Sequence, residues 1–308
     1  MNLSNVHTLN FPGDRGAVRR VALPDALDAE RARIAVPGFG QLSYYSTGPG
    51  QGRPLVLVHS INAAPSAYEM KPVFDRYRGQ RPVLAPDLPG FGFTDRPDIH
   101  YQPDVYVKAL TEFLRRVATQ PVDLVSLSLG GEFAARVAAE APELVNSLVL
   151  ISPTGFSTRT IPGGKTGMRV HGVISLPGLG AGAYALLTTT PSIRYFLGKS
   201  FVGPVPPAMV DYAYATTHQP GARFAPLYFL AGQLFTKDAP NQIYGRVQQP
   251  VLVLYDQDPN IDFDHLAPFL AGRANWQAQR IGPTLGVPHW EKSAETTAAM
   301  DKFWAAQG

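Results

Sequence analysis

The stretch that decides the fold is Leu124-Val125-Ser126-Leu127-Ser128-Leu129-Gly130-Gly131. It joins an apolar run to a segment of small residues at helical spacing, which predicts a buried strand that turns sharply into a helix. Ser128 is the centre of an S-x-S-x-G pattern, and small residues two positions on either side permit a turn that holds its hydroxyl out at the top of a sheet. Ser128 is therefore the candidate nucleophile; the alternative is an ordinary serine at a helix N-cap.

Outward from this turn, short apolar runs alternate with segments whose apolar residues recur every three to four positions. This alternation predicts parallel strands that are connected by helices. Several runs are continuously apolar, as expected where helices cover both faces of a sheet. We expect strands at Leu42–Ser46, Pro54–His59, Arg81–Pro86, Val122–Ser128, Ser147–Ser152, Pro250–Tyr255 and Trp276–Ile281, with an antiparallel edge strand at Arg31–Val36. We expect helices at Ser66–Arg76, Asp104–Thr119, Gly130–Ala141, Asp262–Ala271 and Glu291–Ala306. The predicted fold class is α/β, a mostly parallel, doubly wound sheet of about eight strands.

One interval breaks this alternation. Residues 154–249 contain no convincing strand and are rich in glycine, proline and aromatic residues. A structureless loop of about ninety residues would be exceptional in a compact domain, so we expect an inserted helical cap. The core α/β domain then comprises residues 1–153, with an N-terminal extension at 1–30, and residues 250–308. Most cap aromatics are expected to pack the cap onto the core, and Phe224 and Tyr228 are the candidate substrate contacts.

Composition excludes several classes of function. The 308 residues include no cysteine, so a thiol nucleophile, disulfides and Cys-ligated metal sites are excluded. A net charge of +3 without a like-charge block does not indicate a nucleic-acid partner. The histidines lack metal-ligand spacing, and no glycine-rich segment matches a phosphate or dinucleotide fingerprint, so we expect no cofactor and no metal. The expected partner is a small-molecule substrate, and the sequence leaves the oligomeric state open.

Targeting signals are not expected. The first thirty residues contain no continuous apolar segment of the kind found in a secretory signal peptide. The most apolar window, Val173–Thr190, is interrupted by Pro177 and three glycines and is short for a membrane span. We interpret this window as a lid segment, expect no membrane contact and expect a cytoplasmic location.

Three further segments resemble those of one family. Val56-Leu57-Val58-His59-Ser60-Ile61-Asn62 resembles a strand leading into an oxyanion loop, and residues 85–97 (APDLPGFGFTDRP) resemble a D-x-P-G-x-G-x-S-D loop. Residues 251–259 (VLVLYDQDP) resemble the strand and turn that present a triad acid. With the Ser128 turn, the chain resembles the α/β-hydrolase fold superfamily, in its capped serine-hydrolase branch, over roughly residues 35–306. The resemblance implies a cofactor-independent hydrolase with a cap between the fifth and sixth parallel strands.

The resemblance also implies an oxyanion hole made by the backbone N–H groups of Ile61 and Leu129. Such donors are needed because a serine attacks a carbonyl only if a base removes its proton and dipoles stabilise the oxyanion. Ser60 stands where the family usually has glycine, and its hydroxyl is an additional candidate donor to the substrate. Asn62 is a further candidate substrate contact. His59 is expected to tie loops together behind the hole.

The acid of the triad has two candidates. Asp258 matches the family position just past an apolar strand, where a carboxylate can orient an imidazole through its N–H. Asp256 lies two residues earlier. Asp256 is expected to point away from the site or to be solvated, and Asp258 is preferred. A different end of the strand would exchange the two.

The base is where the sequence departs from the family. The family motif G-H-x-P-x-x-E corresponds here to Leu285-Gly286-Val287-Pro288-His289-Trp290-Glu291, so Gly286 occupies the usual histidine position. We predict that His289, three residues later, acts as the general base, since three residues rise only about 5 Å along a helix. The alternative is a hydrogen-bonded His289 near the helix start and a chain without a base.

Two classes of function follow. The first is a serine hydrolase that cleaves an ester or a similar activated carbonyl of a small, largely apolar substrate through an acyl-enzyme. Carbon–carbon bond hydrolysis with the same triad is a close alternative. The second class is a non-catalytic ligand-binding protein on a hydrolase scaffold, which Gly286 and Ser60 favour.

Overall fold

A computed structural model describes residues 21–159, 163–176 and 179–307. Its strands are β1 (Glu30–Val36), β2 (Gly40–Ser46), β3 (Leu55–Val58), β4 (Val83–Pro86), β5 (Val122–Leu127), β6 (Val145–Ile151), β7 (Val251–Gln257) and β8 (Trp276–Leu285). They form one eight-stranded sheet in the order β1-β2-β4-β3-β5-β6-β7-β8. The predicted α/β fold class is confirmed.

Strands β3 to β8 are parallel, whereas β2 is antiparallel to both of its neighbours, β1 and β4. The prediction that Leu42–Ser46 joins the parallel set is therefore wrong. The physical reason is the length of the connection, because only residues 47–54 separate β2 from β3 and a parallel crossover needs a dozen or more residues.

Helices cover both faces of the sheet. The core helices are α1 (Lys71–Tyr77), α2 (Pro103–Val117), α3 (Gly130–Glu140), α10 (Leu266–Leu270), α11 (Pro288–Glu291) and α12 (Ser293–Ala305). Val56 of β3 packs in the apolar cluster that includes Phe113 of α2 and Phe133 of α3. Leu57, the next residue of β3, packs in the opposite cluster with Phe74 of α1. Alternate residues of one strand thus enter two cores, which explains the continuous apolar runs.

Between β6 and β7 the chain forms α4 (Gly164–Ile174), α5 (Leu179–Leu187), α6 (Thr190–Gly198), α7 (Pro207–Thr217), α8 (Phe224–Leu230) and α9 (Ala239–Gln242). No strand occurs there within residues 163–176 and 179–249. The division into a core and a separate cap at 154–249 stays a prediction. Residues 1–20 lie outside the described residues. They make up most of the proposed N-terminal extension and of the thirty residues in which no signal peptide is expected. Among the described helices, none has both the length and the apolar character needed to cross a membrane.

Two predicted helices differ in their bounds. The one expected at Glu291–Ala306 is divided into α11 and α12 at Lys292, whose φ and ψ of −131° and 51° interrupt the helix. The one expected at Asp262–Ala271 begins only at Leu266. Asp262 instead accepts the backbone N–H of Thr158 at 2.8 Å, so its carboxylate ties the loops after β6 and β7 together.

Candidate active site

Ser128 lies in a strained turn at the carboxyl end of β5. Its φ of 52° is rarely adopted by a residue with a side chain, and such strain is found at functional turns. Its N–H donates to the carbonyl of Ile151 at 2.9 Å, and its carbonyl accepts the N–H of Gly131 at 2.9 Å. Leu129, and not Ser128, is the N-cap of α3. The sharp turn exposes part of the Ser128 side chain, whose hydroxyl makes no hydrogen bond to the described residues.

The loop after β3 packs directly against this turn. A Cβ on Gly130 would overlap the carbonyl oxygen of His59, so glycine is needed for the close approach of the two backbones. His59 is fully buried; its Nε2 accepts the N–H of Leu88 at 2.8 Å and its Nδ1 donates to the carbonyl of Ser60 at 2.6 Å. Burial lowers the pKa of His59 to about 4 and keeps the ring neutral. These contacts agree with a loop-tying role.

The backbone N–H groups of both predicted oxyanion donors are unused within the described chain. Neither Ile61 nor Leu129 donates its N–H to a described residue. Both residues are buried, so water is largely kept from their backbones. Free amides are what an oxyanion requires, and this role of Ile61 and Leu129 stays a prediction.

Glu69, in a 3₁₀ turn at Ala67–Met70, organises the predicted oxyanion loop. Its carboxylate accepts the N–H of Ser60 at 2.9 Å, the Ser60 hydroxyl at 3.0 Å and the side-chain amide of Asn62 at 2.7 Å. Burial raises the pKa of Glu69, and these hydrogen bonds oppose that shift. Sequence reasoning missed this residue, because no sequence motif links Glu69 to Ser60 and Asn62.

The contacts of Glu69 bear on two predicted substrate contacts. The hydroxyl proton of Ser60 is directed to Glu69, and Asn62 donates its amide to both Glu69 and the Ser60 hydroxyl. Their polar groups are thus satisfied within the loop. Contact of Ser60 or Asn62 with substrate stays a prediction.

The two candidate acids have different surroundings. Asp256 is buried, pairs with Arg280 through one oxygen and accepts the N–H of Thr284 at 2.7 Å through the other. Asp258 uses only Oδ1, which accepts the N–H groups of Asn260 at 2.8 Å and Ile261 at 3.3 Å. Only Asp258 therefore retains an oxygen for another donor.

Gly286 and Asp258 meet where the family histidine is expected. Gly286 follows β8 with a φ of 101°, a conformation that favours glycine. A Cβ on Gly286 would lie 2.6 Å from Asp258 Oδ2. The Asp258 carboxylate thus lies against the position from which a histidine at 286 would extend. Burial raises the pKa of Asp258, and the N–H groups that it accepts oppose the shift.

His289 lies in α11 and is fully buried. Its Nε2 donates to the main-chain oxygen of Glu69 at 2.9 Å, and its Nδ1 has no partner among the described residues. Burial lowers the pKa of His289 to about 4, so the ring is neutral at pH 7. No hydrogen bond joins it to Ser128 or Asp258 within the described chain. Its role as base stays a prediction, and its observed contacts connect it to Glu69 instead.

The predicted aromatic contacts lie on α8. The ring of Tyr228 stacks on His171 of α4, with centroids 3.8 Å apart, and lies 5.9 Å from the ring of Tyr101. Phe224 is partly buried against the apolar core. Both residues pack helices together, and their contact with substrate stays a prediction. Across residues 21–159, 163–176 and 179–307, no group of three potential metal ligands occurs.

Comparison with known proteins adds a family and several relatives. A model of the alpha/beta hydrolase family matches residues 55–299. Over 133 residues, 42% of this chain and 48% of the relative, the chain is 35% identical to 2-hydroxy-6-oxo-2,4-heptadienoate hydrolase of Pseudomonas putida. It is 45% identical to an esterase of Mycobacterium tuberculosis over 74 residues, 24% of this chain and 25% of the relative. The chain spans less than half the length of these curated relatives.

Solved structures extend the likeness to most of the chain. A serine hydrolase involved in carbazole degradation has a TM-score of 0.70 at 20% identity, over 90% of this chain and 99% of that one. A meta-cleavage product hydrolase from Pseudomonas fluorescens has a TM-score of 0.68 at 16% identity, over 90% and 98%. At these identities the likeness shows the fold alone.

Proposed function

We propose that this chain, which belongs to the alpha/beta hydrolase family, is a serine hydrolase that cleaves an ester or similar activated carbonyl of a small, largely apolar substrate. One observation carries the proposal: the strained turn at Ser128 presents a hydroxyl without a partner among the described residues, and the N–H groups of Leu129, the next residue, and of Ile61 are likewise unused there. Acyl transfer requires this combination, because the nucleophile and the oxyanion donors must act on the same carbonyl.

In the proposed reaction, Ser128 Oγ attacks the carbonyl carbon and the N–H groups of Ile61 and Leu129 hold the oxyanion. Asp258 orients the base. For His289 to be that base, an unprotonated ring nitrogen must face Ser128. While Nε2 donates to the carbonyl of Glu69, that nitrogen is Nδ1, which has no partner among the described residues. The buried, hydrogen-bonded ring favours a different role, in which His289 positions Glu69 and the oxyanion loop.

Carbon–carbon bond hydrolysis is supported by the relatives. Two of the similar proteins, 35% and 36% identical over part of this chain, are named as hydrolases of 2-hydroxy-6-oxo-2,4-heptadienoate and of 2-hydroxymuconate semialdehyde. The same oxyanion donors would serve a ketone carbonyl. An assay of the purified protein with such a dienoate tests this alternative. Hydrolysis is measured as the decrease in the absorbance of the dienoate.

A non-catalytic ligand-binding role is the second candidate. It is favoured by Gly286, which places no imidazole against the Asp258 carboxylate. Residual catalysis by oxyanion donors and substrate binding amounts to about 10³–10⁴-fold over water even when triad members are removed, so the missing ring alone does not decide between the candidates.

A cytoplasmic location stays a prediction from the sequence.

A pre-steady-state burst with p-nitrophenyl acetate tests the hydrolase proposal. The nitrophenolate leaves readily, whereas the serine alkoxide of the acetyl-enzyme leaves slowly, so acyl-enzyme accumulates and gives a burst of about one equivalent. Ser128→Ala should abolish the burst. Ser126→Ala is the matched control, because Ser126 is two residues earlier, fully buried, and has a hydroxyl without a hydrogen-bond partner. Equal traces for wild type and Ser128→Ala would contradict the proposal and favour the binding role.

A further inference from the structure

Exposed apolar side chains are concentrated on one group of helices. Within the described residues, every large apolar side chain that is exposed lies between Met168 and Leu230. Leu186 is 71% exposed and Tyr195 is 61% exposed. Six of these side chains stand on α4, α5 and α6, and we call them the apolar face: Met168, Val170, Val173, Leu186, Tyr195 and Phe196. Single exposed apolar side chains are common, but such a concentration indicates an interaction site.

Helices α4, α5 and α6 adjoin one another. Each packs against the next along the chain. The N–H of Gly180 in α5 donates to the carbonyl of Leu176 at 3.1 Å, and a Cβ on Gly180 would overlap the carbonyl oxygen of Ile174. Only Thr188 and Thr189 separate α5 from α6. The apolar face therefore belongs to one layer of three neighbouring helices.

The same layer carries positive charge and no negative charge. Residues 144–210 contain no Asp or Glu, although the whole chain has 24 of them. The exposed cations in or next to α4 and α6 are Lys165, Arg169, Arg194 and Lys199. None of them forms an ion pair with a carboxylate among the described residues. Their charge is thus available to an anionic partner.

The cations lie among the apolar side chains. Lys199 Nζ is 4.6 Å from the ring centroid of Tyr195 and 5.6 Å from that of Phe196. On α4, Arg169 directly follows Met168. Helices that lie on membranes combine these features, because their apolar side chains enter the boundary of head groups and acyl chains while long cationic side chains reach the head groups.

This composition favours a lipid surface over a protein partner. Interfaces between proteins are depleted in lysine. Lysine and arginine beside tyrosine are instead enriched where helices meet lipid head groups. An anionic lipid surface complements all four cations and requires no matching shape for apolar side chains that are spread over three helices.

The inward sides of α5 and α6 are fixed to the rest of the protein. Tyr184 of α5 is buried, and its hydroxyl donates to the carbonyls of Ala222 at 3.0 Å and Ala63 at 3.3 Å. Ile193 of α6 is buried in an apolar cluster against which Ala64 packs. Ala63 and Ala64 belong to the loop that contains the predicted oxyanion residues. The apolar face thus lies on helices that contact this loop from their other side.

We propose that the outer side of α4, α5 and α6 binds the surface of an anionic phospholipid bilayer. The apolar face enters the boundary of head groups and acyl chains, and the four cations contact the phosphates. The sequence alone favoured no membrane contact, because Val173–Thr190 is short for a membrane span. A helix that lies on a surface needs no such length. This binding does not depend on whether Ser128 is a nucleophile.

Co-sedimentation of the purified full chain with vesicles tests the proposal. Vesicles of equimolar phosphatidylcholine and phosphatidylglycerol present the anionic surface, and vesicles of phosphatidylcholine alone are the comparison. We expect binding to be at least tenfold stronger to the mixed vesicles, because each cation near an anionic surface strengthens binding by about fivefold. Salt at about 1 M, which shortens the Debye length to about 3 Å, should remove most of this difference.

Variants locate the binding surface. Lys199→Glu should weaken binding to the mixed vesicles by about tenfold or more, since it replaces an attractive charge with a repulsive one. Lys108→Glu is the matched control, because Lys108 is exposed on α2 and the change in net charge is the same. Leu186→Ser should weaken binding by about fivefold through the loss of apolar burial in the lipid. Circular dichroism should show that all three variants are folded, as expected for exposed positions.

Three results would overturn the proposal. The first is a wild-type chain that binds neither kind of vesicle. The second is equal binding of Lys199→Glu and Lys108→Glu to the mixed vesicles, which would show that only net charge matters. The third is self-association without vesicles that Leu186→Ser abolishes while vesicle binding is unchanged, which would assign the apolar face to a second copy of the chain.

Discussion

His289 donates its Nε2 proton to the main-chain oxygen of Glu69 over 2.9 Å. The same carbonyl accepts the indole N–H of Trp290 at 2.7 Å. Because the Glu69 carboxylate in turn holds Ser60 and Asn62, His289 is connected to the predicted oxyanion loop through one residue. This chain of contacts describes a positioning residue, and it leads to the first prediction.

His289→Gln should retain Ser128 acylation within about tenfold of wild type, because glutamine can donate an N–H to the Glu69 carbonyl. If His289 were the general base, this substitution would slow acylation by about 10²–10⁴-fold. The measurement is the burst rate with p-nitrophenyl acetate. A loss of 100-fold in His289→Gln with unchanged folding would instead support His289 as the base. His289→Ala serves as the comparison, since it also removes the hydrogen bond.

Stability should fall in acid because of the buried ring of His289. Burial lowers its pKa from 6.5 to about 4, so the unfolded chain binds a proton that the folded chain resists. The stabilisation is fully present above pH 6.5 and is lost as the pH falls toward 4. Its size is at most about 3 kcal/mol. Between pH 7 and pH 4.5, the free energy of unfolding measured with urea should fall less for His289→Gln than for wild type.

His59 shares this pH window and must be accounted for. Its pKa is also lowered to about 4 by burial. His289→Gln therefore removes only part of the acid sensitivity. If the free energy of unfolding fell equally in wild type and His289→Gln between pH 7 and pH 4.5, the result would contradict the buried, neutral state of His289.

Glu69→Gln should slow acylation and destabilise the fold. The Glu69 carboxylate accepts three hydrogen bonds, and glutamine would direct an NH₂ group toward donors of Ser60 and Asn62. Leaving such groups unpaired costs about 1–3 kcal/mol. Burst kinetics and urea unfolding measure the two effects. Glu143→Gln, at an exposed carboxylate, is the control, and equal behaviour of the two variants would refute the assigned role of Glu69.

Gly286→Ala should cost more stability than Gly48→Ala. Both glycines have positive φ, 101° and 81°, so both substitutions bear a backbone cost of about 1–2 kcal/mol. Only at Gly286 does the new methyl group meet the Asp258 carboxylate, whereas a Cβ on Gly48 meets nothing within 4 Å. The difference between the two free energies of unfolding isolates the contact with Asp258. Equal losses would show that the carboxylate lies elsewhere.

The architecture was predictable because buried strands and helices require apolar or small residues, which are visible in the sequence. The apolar runs and the small residues around Ser128 report a sheet covered on both faces and a close approach of backbones. The orientation of β2 was not predicted, because strand periodicity is the same in parallel and antiparallel pairs. The short connection at residues 47–54 was the signal that could have corrected it.

The site was only partly predictable. The choice between Asp256 and Asp258 depends on Arg280 and Thr284, which occupy the oxygens of Asp256 from another strand. Glu69 was missed because no sequence motif links it to Ser60 and Asn62, nine and seven positions earlier in the chain. The contacts of His289 likewise depend on tertiary packing, since its partner Glu69 is 220 positions away in the chain.

The central claim is that Ser128 is a nucleophile, and peptide mass spectrometry after fluorophosphonate treatment tests it most directly. The account predicts a single adduct on the peptide that contains Ser128, in wild type and in Ser126→Ala, and none in Ser128→Ala. An unmodified Ser128 at high probe concentration would contradict the account.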